Sequence, residues 1–268
     1  MQPTVAVIGA GAMGEAIVRG LVRAGWSPSD ITAADTDASK LEALAGDLGI
    51  LTTADAAAAV AGRKVVVIVV KPDHVLEVIE RITGAVDLGQ VIVSVAAGIP
   101  TTTYESRLPG VPVVRAMPNT PALLGEGAAA IAAGTDATQL DLDAARAVLQ
   151  AVGIVVEVPE SQIDAVTAVS GSGPAYVFLL AETMQASARE LGLSPEVAEQ
   201  LVNRTILGAG RMLTEAGADA ATLRQRVTSP NGTTAAALSA FERGGFASLV
   251  DEAVRAAAAR SEELGKGT

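Results

Sequence analysis

The chain has 268 residues, a length that suits two domains, and it carries a formal net charge of −11 at pH 7. This charge repels phosphate backbones, so we expect no nucleic-acid partner. The sequence contains no cysteine and a single histidine, His74, which excludes disulfides and thiolate chemistry and predicts no metal site.

The hydrophobic composition predicts a soluble α/β protein. Hydrophobic residues make up 50% of the chain and aromatic residues only 2%, a balance typical of Ala-rich helices packed on a Val-rich sheet. The longest aliphatic run, residues 65–70, is far shorter than the roughly 20 apolar residues of a membrane-spanning helix. We therefore expect no membrane segment and a cytoplasmic location.

The N-terminal part alternates short Val/Ile-rich runs with amphipathic stretches, which is the pattern of parallel βαβ units. This pattern predicts a doubly wound Rossmann-type domain over residues 1–160. The predicted strands are 4–9, 31–34, 64–70, 90–95, 111–116, 128–133 and 153–158, with helices that include 14–24, 38–48 and 138–151.

The C-terminal part, residues 161–268, has no strand-like runs and is predicted to be an all-α domain. Ser172 or Gly173 before Pro174, and Ser194 before Pro195, are typical helix starts. The last helix is predicted at 247–264, ending before Gly265.

A complete G-x-G-x-x-G motif, residues 9–14, lies between the first predicted strand and helix. Gly9 permits the tight turn, Gly11 lets a pyrophosphate approach the backbone, and Gly14 lets the helix lie close to the sheet. The alternative is a flexible turn without a ligand, but the flanking strand and helix favour dinucleotide binding.

Asp35 follows the second predicted strand, where a carboxylate accepts hydrogen bonds from the adenosine ribose hydroxyls. A carboxylate there favours NAD over NADP, since it repels a 2′-phosphate, and no arginine lies between Asp35 and Gly62. The alternative is that Asp35 only caps the next helix.

Two segments end the next predicted strands, at the edge where doubly wound sheets bind ligands. Lys71 places a cation at this edge. The alternative is a solvated lysine at a strand end, followed by a helix that Pro72 opens. Residues 95–98, Val-Ala-Ala-Gly, have small side chains that let a nicotinamide ring approach the backbone, or that serve close packing.

Three further segments combine polar or small residues with prolines. Residues 117–121 hold Asn119 and Thr120 as fixed polar groups, or form a simple turn. Residues 170–176 permit a close backbone approach. Residues 227–234 offer N–H groups to a carboxylate and the Thr234 hydroxyl to a ring nitrogen, unless Thr233 is an ordinary helix cap.

With these motifs in this order, the sequence resembles the pyrroline-5-carboxylate reductases over essentially its whole length. The glycine turn is shared by many dehydrogenases, whereas residues 170–176 and 227–234 are specific to the family. The resemblance implies hydride transfer from NADPH or NADH to the cyclic imine of 1-pyrroline-5-carboxylate, which gives L-proline. It also implies a homodimer with an active site across the dimer, the 229–234 loop coming from the partner subunit, and further assembly into larger rings such as a decamer.

The resemblance also assigns roles to individual residues. Cofactor binding is implied for Ile8, Gly9, Ala10, Gly11, Ala12, Met13, Asp35, Val70, Lys71, Pro72, Val95, Ala96, Ala97 and Asn119. Substrate binding is implied for Ser229, Pro230, Asn231, Gly232, Thr233 and Thr234, with Thr234 as the catalytic residue near the imine nitrogen. One departure is Ala56, where many relatives have an asparagine that reaches the ribose or its phosphate.

Two other functions compete with this interpretation. A β-hydroxyacid or phosphogluconate-type dehydrogenase relies on a lysine of the second domain, but no lysine lies between Lys71 and Lys266. A catalytically silent, nucleotide-sensing dimer would bind the cofactor without oxidising it in the presence of the imine.

Overall fold

The computed structural model describes residues 2–215 and 217–266. Its contacts divide the chain into a nucleotide unit, Met1–Ser172 with Ala256–Thr268, and a helical unit, Gly173–Arg255. The sequence boundary at residue 160 stays a prediction. The predicted fold class, a Rossmann-type domain followed by helices, is confirmed.

The nucleotide unit is built on one eight-stranded sheet with the order β3-β2-β1-β4-β5-β6-β7-β8. Its strands are β1 Val5–Ile8, β2 Ile31–Ala34, β3 Leu51–Thr53, β4 Val65–Ile68, β5 Val91–Ser94, β6 Val113–Met117, β7 Gly127–Ala133 and β8 Gly153–Glu157. The sequence analysis missed β3, because this edge strand has a single large apolar residue, Leu51, and it is 46% exposed.

The last two strands depart from the parallel βαβ pattern that the sequence predicts for the N-terminal part. Strand β7 pairs antiparallel with β6, and β8 pairs parallel with β7, so both run against the other six strands. Only residues 118–126 connect β6 to β7. That connection is shorter than the dozen or so residues of a parallel crossover, so β7 has to reverse direction.

Alternating residues of the buried strands supply two separate cores. In β1, Val5 and Val7 belong to one apolar cluster, while Ala6 and Ile8 belong to the other. The helices of the first face are α1 Ala12–Arg23, α2 Ala38–Leu48 and α6 Gln139–Leu149, and those of the second are α3 Ala56–Val60, α4 Val75–Ile82 and α5 Thr101–Glu105. The sheet is therefore covered on both faces, as a doubly wound fold requires.

Helices are the main elements of the described residues after β8. They are α7 Ile163–Val166, α8 Gly173–Glu190, α9 Pro195–Thr214, α10 Ala220–Arg226, α11 Thr233–Arg243 and α12 Phe246–Lys266, with a π-helix at Thr167–Gly171. The predicted start of α9 is confirmed, since Ser194 caps it and Pro195 opens it.

The helical unit exposes much of its apolar surface. In α8 and α12, Phe178 is 67% exposed, Leu179 64% and Leu249 63%. A groove of about 800 Å³ lies between α8, α11 and α12. By length and composition alone, Glu160–Glu190 also passes as a membrane-spanning helix. Ser and Gly interrupt its aliphatic residues, so it contains no long unbroken aliphatic run. An apolar surface of this extent is typical of an interface with another protein chain.

A buried arginine joins three parts of the nucleotide unit. The side chain of Arg115 in β6 is only 8% exposed, and its guanidinium lies 3.4 Å from a Glu160 oxygen and 3.6 Å from an Asp164 oxygen. Thr101 donates two hydrogen bonds to Glu160, and the Ser261 hydroxyl of α12 donates one to Asp164. Arg115 therefore holds two carboxylates that each anchor a further segment.

We expect Arg115→Ala to lower the free energy of unfolding by about 3 kcal/mol, because it leaves two partly buried carboxylates without their cation. Arg19 is the matched control, since it also lies against two carboxylates, Glu15 and Asp47, but on the surface. Arg19→Ala should cost less than about 1 kcal/mol. Urea unfolding at one protein concentration measures both variants, and equal losses would contradict the role given to Arg115.

Candidate functional site

A cavity of about 500 Å³ lies over the carboxyl ends of β1, β2 and β4. This is the edge at which open α/β sheets bind their ligands. Of the predicted cofactor residues, it is lined by Ile8, Gly9, Gly11, Asp35, Val70 and Lys71. The volume falls within the range of small-molecule sites.

The three motif glycines occupy different environments. Gly9 has φ +107°, and a Cβ on it would lie 2.3 Å from the Val69 carbonyl oxygen. A Cβ on Gly14 would lie 1.9 Å from the Gly9 carbonyl oxygen, so α1 packs directly on the turn. A Cβ on Gly11 meets no atom within 4 Å. The open side of Gly11 therefore faces the cavity and leaves room for a pyrophosphate, as the motif predicts.

Helix α1 begins beside this opening. Gly11 is its N-cap residue, and it has no side chain to accept the N–H groups of the first turn. Ala12 and Met13 are the first two residues of the helix. A helix N-terminus in this arrangement binds anions through its amide groups and its dipole, so the residues present fit a dinucleotide.

Asp35 is held rigidly at the end of β2. Its Oδ2 accepts a hydrogen bond from the Ala10 amide at 2.6 Å, and its Oδ1 accepts one from the Asp37 amide at 2.9 Å. The helix cap of α2 is Asp37, whose side chain accepts from the Ser39 amide. The alternative that Asp35 caps this helix is therefore wrong, and its carboxylate faces the cavity.

Lys71 is exposed, lies just after β4 and occupies the N-cap position of the short 3-10 helix that Pro72 opens, but its side chain makes no cap hydrogen bond. The same wall of the cavity carries His74 and Arg81, and both lie against Glu77 at 3.9 Å and 2.5 Å. Both interpretations from the sequence therefore apply to Lys71. It precedes a helix that Pro72 opens, and it places a cation at the edge of the sheet where ligands bind.

The 95–98 segment lies outside this cavity, at the carboxyl end of β5. Its start is fixed by the buried Ser94 hydroxyl, which hydrogen-bonds the Tyr104 hydroxyl and also accepts from the Ala96 amide at 3.3 Å. A Cβ on Gly98 would lie 3.0 Å from Cβ of Leu264, so this end of the segment is closely packed. Contact of Val95, Ala96 and Ala97 with nicotinamide stays a prediction.

Asn119 uses both ends of its side chain within the protein. Its amide nitrogen donates to the Ser170 carbonyl oxygen at 3.1 Å, and its amide oxygen accepts from the Ala128 amide at 2.8 Å. It therefore ties the β6–β7 connection to the π-helix at Thr167–Gly171. This positions the C-terminal end of that π-helix, while a direct contact of Asn119 with the cofactor stays a prediction.

The predicted substrate loop belongs to the helical unit and leads into α11. Ser229 accepts the Gly232 amide through its carbonyl oxygen at 3.0 Å, and Asn231 has φ +58°. Gly232 is the N-cap residue of α11 and provides no side-chain cap, so Thr233 is not the cap that the alternative interpretation required. Thr234 is half-buried in the first turn.

Sequence reasoning missed several residues that line the cavity. They are Ala34, Thr36, Lys40, Ala54, Val69, His74, Glu77, Val78 and Arg81, and Ala56 lies among them. Lys40 lies five positions after Asp35, and Arg81 lies on α4. Neither residue belongs to a local sequence motif. Only the tertiary fold brings α2 and α4 to the same cavity, so the sequence alone does not identify them.

We expect Gly11→Ala and Gly14→Ala to separate ligand space from packing. The Cβ of Gly11→Ala projects into open space, so the Tm should change by less than about 2 °C while NADH binding weakens about tenfold. Gly14→Ala forces α1 away from the turn and should cost about 2 kcal/mol of stability. Thermal unfolding and NADH fluorescence titration measure the two effects. A large loss of Tm in Gly11→Ala would refute its ligand-facing placement.

Tyr104 predicts an alkaline loss of stability. Burial raises the pKa of Tyr104 from 10.0 to about 12, although its hydrogen bond with Ser94 opposes the shift. Between pH 10 and 12 the unfolded state therefore loses the phenol proton while the folded state keeps it, and stability falls by about 2–3 kcal/mol. Tyr104→Phe should remove this share of the pH dependence in urea unfolding, whereas Tyr176→Phe should retain it.

Comparison with known proteins agrees with this geometry. Residues 160–264 match a family model described as pyrroline-5-carboxylate reductase dimerisation, and residues 4–98 match one described as NADP oxidoreductase, coenzyme F420-dependent. Over 264 residues the chain is 45% identical to the pyrroline-5-carboxylate reductase of Pseudomonas aeruginosa, covering 98% of this chain and 97% of the relative.

Two solved structures resemble the whole chain. A pyrroline-5-carboxylate reductase from Coxiella burnetii has a TM-score of 0.94 at 36% identity and covers 98% of this chain and 99% of its own. A pyrroline carboxylate reductase from Plasmodium falciparum, with NADP bound, has a TM-score of 0.86 at 26% identity and covers 98% of each chain. This chain therefore belongs to the pyrroline-5-carboxylate reductase family.

Proposed function

We propose that this chain reduces 1-pyrroline-5-carboxylate to L-proline with NADH or NADPH. Family membership over nearly the whole chain is the observation that carries the proposal. The cavity supports it, because the open side of Gly11 and the uncapped start of α1 suit the pyrophosphate of a dinucleotide.

The nucleotide unit positions the cofactor. Amide groups at the glycine turn bind the phosphates, Asp35 faces the ribose, and the 95–97 segment receives the nicotinamide ring. The chemistry that a bound reduced cofactor would supply is a hydride for C5 of the protonated imine. Because protonation already makes C5 electrophilic, the main task of the protein is to hold the two rings in a reactive geometry.

The 229–234 loop binds the substrate in this proposal. The first turn of α11 has no side-chain cap, so its amide groups are placed to donate hydrogen bonds to the substrate carboxylate. The Thr234 hydroxyl orients the ring nitrogen, since a threonine hydroxyl is too weak an acid to serve as the proton source at neutral pH.

The chain forms a homo-oligomer, and we propose that its active site is shared. The exposed apolar groove of the helical unit would pack against the same surface of a second subunit, as in an isologous dimer. The partner subunit would then supply the 229–234 loop, and dimers would assemble further into a decamer. A cytoplasmic location suits a chain without cysteine.

The decisive assay follows reduced-nicotinamide absorbance at 340 nm after adding 1-pyrroline-5-carboxylate, with proline measured as product. Cofactor oxidation with an equal amount of proline supports the proposal. Cofactor binding without oxidation would favour the nucleotide-sensing dimer instead. The hydroxyacid dehydrogenase alternative is weakened by the absence of lysine between Lys71 and Lys266.

Thr234→Ala should lower kcat on the order of tenfold or more, because the ring nitrogen loses its orienting contact. The Kd for the reduced cofactor should change less than about twofold, since Thr234 belongs to the helical unit and not to the cofactor cavity. Stopped-flow turnover and fluorescence titration give the two values. Thr234→Ser should restore most of the activity, and Ser239→Ala, at an exposed position of α11 outside the loop, is the control and should leave both values unchanged. Equal loss of turnover and cofactor affinity would contradict the role of Thr234 at the ring nitrogen.

A further inference from the structure

We propose that Asp35 makes this enzyme select NADH over NADPH. The inference rests on the proposed function, in which the cavity at the glycine turn holds the adenosine half of the cofactor. It starts from the position of the Asp35 carboxylate, whose side chain is only 13% exposed and lines this cavity.

The carboxylate is fixed in place by two backbone donors. One oxygen accepts the Ala10 amide at 2.6 Å and the other accepts the Asp37 amide at 2.9 Å. Rotating the side chain away from the cavity would break both bonds and leave the buried Ala10 amide without its acceptor. Asp35 therefore cannot move aside to admit a larger anionic group.

The charges around Asp35 also oppose a phosphate. The Lys40 ammonium lies 3.8 Å from Asp35 and 3.9 Å from Asp37, so one cation is shared between two carboxylates. A 2′-phosphate would add about two negative charges to a turn that is already negative. A free 2′-hydroxyl can instead donate to a remaining lone pair of the carboxylate.

The other cations of the cavity do not reverse this balance. Arg81 and His74 both lie against Glu77 on the α4 wall. Lys71 follows β4, and β1 runs between β4 and β2, so the backbones of these two strands lie about 10 Å apart. Ala56 lines the cavity with a methyl group that offers a phosphate no hydrogen bond. The ribose end is thus complementary to a diol and not to a phosphomonoester.

Fluorescence titration of the purified enzyme with NADH and with NADPH tests the inference without relying on turnover. We expect the wild type to bind NADH at least about tenfold more tightly than NADPH. Asp35→Asn keeps the shape of the side chain and removes its charge, so the ratio of the two Kd values should fall to about threefold or less. Because both cofactors use the same glycine turn, the ratio cancels any general loosening of that turn.

Asp37→Ser is the matched control. It removes the neighbouring carboxylate but keeps an oxygen to cap α2, and Asp37 does not line the cavity. It should preserve most of the NADH selectivity. A second arm uses adenosine 2′,5′-bisphosphate as a competitor, which should displace NADH from Asp35→Asn at lower concentration than from the wild type.

The outcomes distinguish failure of this inference from failure of the proposed reductase function. Equal or tighter NADPH binding by the wild type overturns the selectivity and leaves the reductase function intact. An equal change in Asp37→Ser and Asp35→Asn overturns the assignment to Asp35. If neither reduced cofactor binds, the proposed function fails together with the inference.

Discussion

The hydrogen bond from the Ala10 amide to the Asp35 carboxylate is the constraint on which the nucleotide cavity depends. A second bond, from the Gly9 amide to the Ala34 carbonyl oxygen at 2.7 Å, runs parallel to it between the ends of β1 and β2. On the other side, Gly9 lies directly against the Val69 carbonyl group after β4. Three strand ends therefore hold one turn, so the start of α1 is in place before any ligand arrives, which lowers the cost of ordering a binding site.

This constraint explains why one carboxylate contributes to both structure and recognition. An acceptor for the Ala10 amide is required because that residue is only 4% exposed, and an unsatisfied buried amide is costly. An uncharged acceptor could fill this need. The negative charge is what the ligand meets, so the structural and the selective contributions of Asp35 are separable by chemistry even though they share the same atoms.

Much of the fold could be predicted from the sequence, because β1 and β4 are unbroken buried runs and α2 begins after Asp37. The direction of β7 could not, since residues 128–133 have the same apolar pattern in either orientation, and only the short connection from β6 decides it. In the site, the glycine motif predicted the tight turn and the open space at Gly11. Lys40, in contrast, reaches the cavity only through the tertiary arrangement of α2. The π-helix at Thr167–Gly171 was likewise visible only as an interruption by small residues.

The net charge of −11 poses a problem for an enzyme whose cofactor carries phosphates and whose substrate carries a carboxylate. Adding arginines would attract such ligands, but no arginine lies in the glycine turn or in residues 227–234. In the proposed assignment, each anion meets a helix that starts without a side-chain cap, α1 after Gly11 and α11 after Gly232. Amide groups at a helix N-terminus bind an anion within hydrogen-bond range and add little long-range attraction. Recognition by backbone amides then selects the ligand by its shape at the turn. Because this recognition does not depend on a long-range positive potential, the fixed carboxylate of Asp35 can exclude an extra phosphate without having to counteract such a potential.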